Sequence, residues 1–375
     1  MNKKNRMCTR CVFDDTVRNI KFDRDGVCNF CHVNQKLSKK LDKAKFYRLL
    51  EKIKRKMQHK KYDCVVPFSG GIDSTYVLYY VKKAGLRPIA LHSDNGWVAN
   101  ISRQNMKKTV EKLEVPFKSL SKDWKIMKDV YLATLKASVP DLCLACEVKS
   151  ISEIIDFSAS EGIPYIFFGF SPRTEGLVPL SWHYVDSKYF NSIIHHFSEN
   201  KNAALKLNKI NIFHFFYFSM IKSIRHILLP SYVDWDEQKI KKILKKELDW
   251  IDYGHHSDCL YHPVARYIMK KKFNIDREKT RYCAYINAGH MSKEDALRLL
   301  QMPYDVNIES KIGYVLEKLG ITRREFERLY SLEPRYFTDY PSYNPLIQRI
   351  KYIFWLASKC GLIVDGLYDY YFHAG

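Results

Sequence analysis

Two kinds of residue pattern in this chain could do chemistry: a glycine loop among hydroxyls and an acid, and pairs of closely spaced cysteines. The loop is Ser69-Gly70-Gly71-Ile72-Asp73-Ser74-Thr75. Gly70 and Gly71 let an anion approach the backbone with no Cβ in the way. The hydroxyls of Ser69, Ser74 and Thr75 add donors, and Asp73 can hold a metal ion that neutralises phosphate charge. No Lys-Ser or Lys-Thr follows the glycines, so this is not the Walker pattern. Cys8-Thr9-Arg10-Cys11 and Cys28-Asn29-Phe30-Cys31 have the spacing of a zinc ribbon and predict one structural Zn²⁺ held by Cys8, Cys11, Cys28 and Cys31. Four protein ligands leave no open position on that metal, so it is not catalytic. A third pair, Cys143 and Cys146, stands just before a predicted helix, whose N-terminus should lower the thiol pKa. Cys259 and Cys283 could join this pair around a second metal; reduced structural thiols are the plain alternative.

The elements that must position these groups follow from hydrophobic patterning. Cys64–Phe68 reads as a buried strand, residues 76–84 as a helix stopped by Gly85, and Pro88–His92 as the returning strand. The loop therefore sits at a strand's carboxyl end and a helix's N-terminus, where backbone N–H groups converge on an anion. Ser93-Asp94-Asn95-Gly96 ends the second strand. Residues 102–113 read as a helix, 116–120 as a third strand, and 124–138 as a helix. Residues 163–169 read as another buried strand, with Gly169 at its end pointing at the same crevice. Arg173, just beyond, is a candidate phosphate clamp or a surface arginine. Between the N-terminal cysteine pairs, Asp25-Gly26 marks a hairpin turn. Residues 35–61 read as a helix with a Lys/Arg-rich outer face, solvated by default or a contact for RNA or membrane. The tract from Tyr189 to Pro230, rich in aromatics and bases, reads as a buried or substrate-lining helix, with an interfacial amphipathic segment as the alternative. Charged amphipathic helices are predicted over 235–250 and 261–273, and Ser292 is a helix N-cap with Asp295 three residues on.

The 375 residues suit two or three domains, and a net charge of +21 favours an anionic partner, whether nucleotide, nucleic acid, sugar nucleotide or acidic membrane face. The start, Met1-Asn2-Lys3-Lys4, runs into polar sequence and predicts no signal peptide. The ten cysteines are then expected as thiols or metal ligands in a reducing, cytoplasmic compartment, with a peripheral contact at the inner membrane as a further reading.

The loop resembles the SGGxDS motif of the PP-loop ATP pyrophosphatases. Asp258-Cys259, the basic helix through Lys272, and the block from Asn287 to Leu297 resemble something narrower: the N-acetyl sugar amidotransferases of surface-polysaccharide and flagellar sugar pathways. The resemblance runs to about Tyr304 and leaves the last seventy or so residues without a match. It implies an α/β fold with a PP-loop parallel sheet of the adenine nucleotide alpha hydrolase-like type, an N-terminal zinc ribbon and a mostly helical C-terminal region. The expected layout is a ribbon over 1–35, a basic linker helix over 36–61, an ATP-binding domain over 62–189, and a substrate or partner region over 190–375. The resemblance further implies ATP, Mg²⁺ and Zn²⁺, and nucleotide contacts from Ser69, Gly70, Gly71, Asp73, Ser74, Thr75, Ser93, Asp94, Asn95 and Gly169. Asp73, Ser74 and Arg173 would carry catalysis. An N-acetyl sugar would be adenylated on its acetamido oxygen and attacked by ammonia from a separate glutaminase partner. The Cys143/Cys146 pair also resembles the iron–sulfur set of some PP-loop tRNA thiolases, so a tRNA-thiolating enzyme is the first alternative. A zinc-ribbon interaction protein with an inactive PP-loop is the second.

Overall fold

The computed structural model describes residues 6–37, 43–208, 211, 214, 217–254, 258–302, 305–360, 362–363 and 366–373. Its centre is a sheet of five parallel strands: β1 (Cys64–Pro67), β2 (Pro88–Ser93), β3 (Phe117–Leu120), β4 (Tyr165–Phe168) and β5 (Arg225–Leu228). The order is β3-β2-β1-β4-β5. Val65 lies beside Ile89 on one neighbour and Ile166 on the other, so β1 is covered on both edges. The chain winds outward from β1 to β3, then returns to place β4 and β5 on the opposite side. The direction of winding reverses between β1 and β4, and a crevice opens at their carboxyl ends.

Four of the strands follow the hydrophobic runs of the sequence. The fifth does not. Arg225 and His226 fall in the tract expected to be helical, yet they pair with Tyr165 and Ile166. As an edge strand with only Ile227 and Leu228 buried, β5 carries neither a continuous apolar run nor a clean alternation. The sheet thus continues past residue 189. Of the aromatic run before it, residues 212, 213, 215 and 216 lie outside the described residues, while Tyr217–Ile221 form a π-helical turn.

Helix α1 (Asn29–Leu37) completes the ribbon, and α2 (Lys43–Met57) follows; residues 38–42 of the expected linker helix lie outside the described residues. On α2, Phe46, Leu50, Ile53 and Met57 are buried in the sheet's core, while its lysines and arginines stay mostly exposed. Burying each of these side chains contributes about 1.5–3 kcal/mol, so α2 is a docked wall and not a tether. Helices α3 (Ile72–Lys83), α4 (Asn100–Leu113), α5 (Trp124–Lys136) and α6 (Leu144–Ser160) connect the strands. A second core joins the ribbon's Phe13 and Phe30 to Trp182, Tyr184, Tyr131 and Tyr261. The ribbon is built into the helical half of the molecule. No helix among the described residues is long and apolar enough to cross a membrane.

Candidate active site

The glycine loop closes on itself. The Ser69 N–H donates to Ser74 Oγ at 3.2 Å, and the Gly71 N–H reaches Ser69 Oγ at 3.4 Å. Gly71 caps α3 without a side-chain hydrogen bond, which leaves the helix start available to an anion. The two glycines serve different ends. Gly70 has φ +80°, and a Cβ there would stand 2.5 Å from the Ser102 carbonyl oxygen. Trp250 Nε1 donates to the Gly70 carbonyl at 2.9 Å. Gly70 therefore answers to the approach of α4, whereas Gly71 lines the cavity, where a Cβ would stand 3.3 Å from Ser69 Oγ. A Cβ on Gly71 would stand 3.6 Å from Asp258 Oδ2, which brings a carboxylate of the C-terminal half up to the loop. Gly169 passes directly beneath the loop: a Cβ would meet Asp73 O at 2.7 Å.

Ser69, Gly71, Asp73 and Ser74 line a cavity of about 780 Å³ at the sheet's carboxyl edge. Gly169 from β4 and Ser93 and Asn95 from the β2 loop line it too. Ser93 Oγ is held by Glu153 at 2.7 Å and by the fully buried Lys149 at 2.9 Å. Asp94 is turned to its own loop, accepting from the Gly96 N–H at 2.8 Å. Thr75 is buried away from the cavity, and its hydroxyl has no partner. Arg173 also differs from expectation: Ser171, Pro172 and Glu175 of its short turn line the cavity, but its guanidinium turns to the Pro230 carbonyl at 3.0 Å. Four-residue helical geometry puts Arg173 on the face opposite its neighbours, so it is no phosphate clamp in this arrangement.

Cys143, Cys146 and Cys259 line the middle of the cavity. Asn95 Nδ2 approaches Cys146 Sγ at 3.4 Å and Cys259 Sγ at 3.5 Å. The strand-like pairing of Val98 with Cys259 brings the C-terminal half over the β2 loop; His255, His256 and Ser257 beside it lie outside the described residues. Cys143 caps α6 and Cys146 sits in its first turn, yet both thiols are pushed up, by burial first and Glu147 also. Cys259 is pushed up to about 12 by burial and the Cys146 charge. Desolvation outweighs the helix N-terminus, against the sequence expectation. Cys283 does not join this group. It sits on the Glu278–Ala288 helix, which packs on the ribbon and places its Sγ 3.9 Å from Cys31 Sγ.

The ribbon thiols fit zinc. Cys8, Cys11, Cys28 and Cys31 are buried with sulfurs within 4.8 Å of one another. Cys8 and Cys31 sulfurs stand 3.9 Å apart, and those of Cys11 and Cys28 3.7 Å. A tetrahedral Zn²⁺ with bonds near 2.3 Å needs sulfurs about 3.8 Å apart. The N–H groups of Arg10, Cys11 and Cys28 point at Cys8 Sγ, as a thiolate ligand requires.

The same cavity has a charged wall that sequence spacing did not reveal. His183 lies between Asp141 at 3.3 Å and Glu147 at 3.2 Å. Burial opposes its charge, but the two carboxylates win and raise its pKa to about 9. Arg266 and Arg281 share Glu278, and Arg277 lines the cavity beside them. These groups come from four separate segments. The one local signal is Arg277, at the N-cap of the Glu278–Ala288 helix, and Arg281 four residues on in its first turn.

The chain matches two family models in complementary places. Residues 232–354 match the family described as LPS biosynthesis protein WbpG-like, C-terminal domain, and residues 63–153 match that of the queuosine biosynthesis protein QueC. The two matches support the resemblance of this chain to the N-acetyl sugar amidotransferases of the PP-loop ATP pyrophosphatases. The WbpG-like match runs past Tyr304, so most of the region left unmatched by the motif resemblance falls within it. An uncharacterised protein of Methanocaldococcus jannaschii is 24% identical over 303 residues, covering 79% of this chain and 93% of its own. Among solved structures, a predicted subunit of tRNA methyltransferase from Methanocaldococcus jannaschii aligns with 17% identity over 58% of this chain and 90% of its own, at TM-score 0.31. The U34-tRNA thiolase NcsA from Methanococcus maripaludis, solved with its 4Fe–4S cluster, aligns with 12% identity over 80% of this chain and 90% of its own, at TM-score 0.34.

Proposed function

We propose that this protein is an ATP-dependent amidotransferase that converts the acetamido group of an N-acetyl sugar to an acetamidino group, releasing AMP and pyrophosphate. One observation carries the reading: Asp258, Arg266, Arg277 and Arg281, all within the WbpG-like match, line the same cavity as the Ser69–Ser74 loop. An amide carbonyl is a poor electrophile. Its oxygen attacks the α-phosphorus of ATP, the bond to pyrophosphate breaks, and an O-adenylated imidate forms. Ammonia adds to the imidate carbon, AMP departs with the former carbonyl oxygen, and a proton leaves to solvent. The start of α3 and the hydroxyls of Ser69 and Ser74 receive the charge developing on pyrophosphate. Asp73, with Asp258 lining the same cavity, would hold Mg²⁺, which would supply charge neutralisation on the phosphates. Closing the cavity against water would protect the adenylate. A separate glutaminase supplies the ammonia, and the sugar belongs to lipopolysaccharide, O-antigen or flagellar assembly, built at the cytoplasmic face of the membrane.

The thiols lining the cavity favour a second reading, tRNA thiolation. Cys143, Cys146 and Cys259 do not close to the spacing of the ribbon thiols, which suits an iron–sulfur cluster better than a single ion. One experiment separates the two. Anaerobically purified protein is given ATP, ammonium chloride and N-acetyl sugars, with AMP and product mass as readouts, beside a Cys143→Ala/Cys146→Ala variant. Amidotransfer predicts ammonia-dependent AMP release that survives, per folded molecule, in the variant. A stoichiometric cluster with loss of a thionucleoside from the tRNA of a deletion strain refutes it.

A further inference from the structure

Arg277 precedes the Glu278–Ala288 helix and lines the cavity. Its charged neighbours there are matched in contact. Arg266 binds Glu278 at 2.6 Å, Arg281 Nε reaches the same carboxylate at 3.1 Å, and His183 lies between Asp141 and Glu147. Among the described residues, Arg277 makes no ion pair and no side-chain hydrogen bond. Glu147 and Glu175 act on it only through space, and Arg266 opposes them. A guanidinium cannot shed its proton at any ordinary pH, so it remains a charge enclosed in the wall of a cavity without a contacting anion. Such a charge costs folding free energy unless a ligand matches it. Its planar fork suits two oxygens of one carboxylate or phosphate.

We infer that Arg277 anchors an anionic group of the sugar substrate, a carboxylate on the ring or a phosphate linked to it, and so selects anionic over neutral N-acetyl sugars. The inference rests on the amidotransferase reading and adds the substrate class. Arg277 stands near Glu147 and the Cys143 thiol and lines the same cavity as the loop, where a bound sugar would place its substituents while its acetamido oxygen faces ATP. Arg266 and Arg281 hold Glu278 and brace the start of the helix that presents Arg277.

The test is calorimetric titration of the full chain, wild type against Arg277→Gln and Arg277→Lys. Four probes are used: N-acetylglucosamine, UDP-N-acetylglucosamine, N-acetylglucosaminuronic acid and ATP. Wild type should bind at least one anionic sugar more tightly than N-acetylglucosamine. Arg277→Gln should weaken that probe by roughly 10- to 100-fold, the loss expected for a charged hydrogen-bonded pair, with the lysine variant between. Loss confined to the UDP-sugar assigns a phosphate, and loss confined to the uronate assigns a carboxylate. Ligand-free Arg277→Gln should melt no lower than wild type, because it removes an unmatched charge. A lower melting point, equal loss on N-acetylglucosamine, or equal loss on ATP would overturn the inference while leaving amidotransfer standing. Failure of every sugar to bind or to release AMP would instead sink the amidotransferase reading and this one with it.

Discussion

Gly169→Ala tests whether the end of β4 sets the position of the ATP-binding loop. A Cβ at Gly169 would stand 2.7 Å from Asp73 O, 2.8 Å from Asp73 C and 2.9 Å from Asp73 Cβ. The closest of these is about 0.7 Å inside the 3.4 Å at which ordinary contact begins. The obstructing atoms belong to the first turn of α3, which is clamped between β1, β2 and β4, so no flexible side-chain tip can give way. Overpacking of this kind costs about 1–3 kcal/mol. The alanine recovers about 0.4–1 kcal/mol by restricting the unfolded chain, leaving about 1–2 kcal/mol of destabilisation. The functional cost should be larger, because the displaced atoms carry Asp73. A shift approaching 1 Å at a reacting centre costs up to about 100-fold in turnover. Gly313→Ala is the matched control. Gly313 lies inside the Ile308–Leu319 helix, and a Cβ there meets nothing within 4 Å. It should stabilise by about 0.5–1 kcal/mol and leave catalysis unchanged. Urea unfolding and pyrophosphate release measured on both variants provide the comparison. Wild-type turnover in Gly169→Ala would show that β4 does not set the loop, and the coupling argued from the close approach would be wrong.

Much of the site was legible because its signals are local. The Ser69–Ser74 loop, its flanking strands and the four ribbon cysteines each declare themselves within a few residues, and the ribbon sulfurs stand at zinc-like spacing. What failed to read depends on the tertiary arrangement. Arg225–Leu228 became a strand because β4 offered an open edge, not because of its own pattern. That Gly70 also has to admit the backbone of Ser102, where a Cβ would stand 2.5 Å from its carbonyl oxygen, was not readable from the loop alone. Arg173 pointed the wrong way because four residues of helix separate inward from outward faces. Cys283 could not be assigned from spacing, since nothing in the sequence tells that its helix packs on the ribbon; Asn287, one turn on, donates to both Cys31 and Cys283 sulfurs. The charged wall was invisible for the same reason. Asp141, Glu147, His183 and Arg277 are brought together only by the second core.

Asp73→Asn should abolish pyrophosphate formation without lowering the melting temperature; an active variant would remove Asp73 from metal and phosphate binding. Cys28→Ser should lose about one Zn²⁺ per chain, read by metal analysis. It should also open the Glu278–Ala288 helix to proteolysis, because that helix rests on the ribbon through Cys31 and Cys283, and Lys279 binds Asp14 at 2.6 Å. Retained zinc, or an unchanged digestion pattern, would disconnect ribbon and cavity wall. His183 makes the pH dependence of stability calculable. Its pKa is about 9 in the folded protein, above the ordinary value near 6.5, because Glu147 and Asp141 outweigh burial. A raised folded pKa means the folded state holds the proton more tightly than the unfolded chain. The contribution is therefore complete below about pH 6.5 and is lost as pH climbs toward about 9, with an upper bound of about 3 kcal/mol. The stability gap between wild type and His183→Gln, from urea unfolding, should be widest at pH 6 and shrink steadily to pH 9.5. A gap that stays constant over that range would mean that His183 is not held as an imidazolium between the two carboxylates, and that the charged wall of the cavity carries one positive charge fewer.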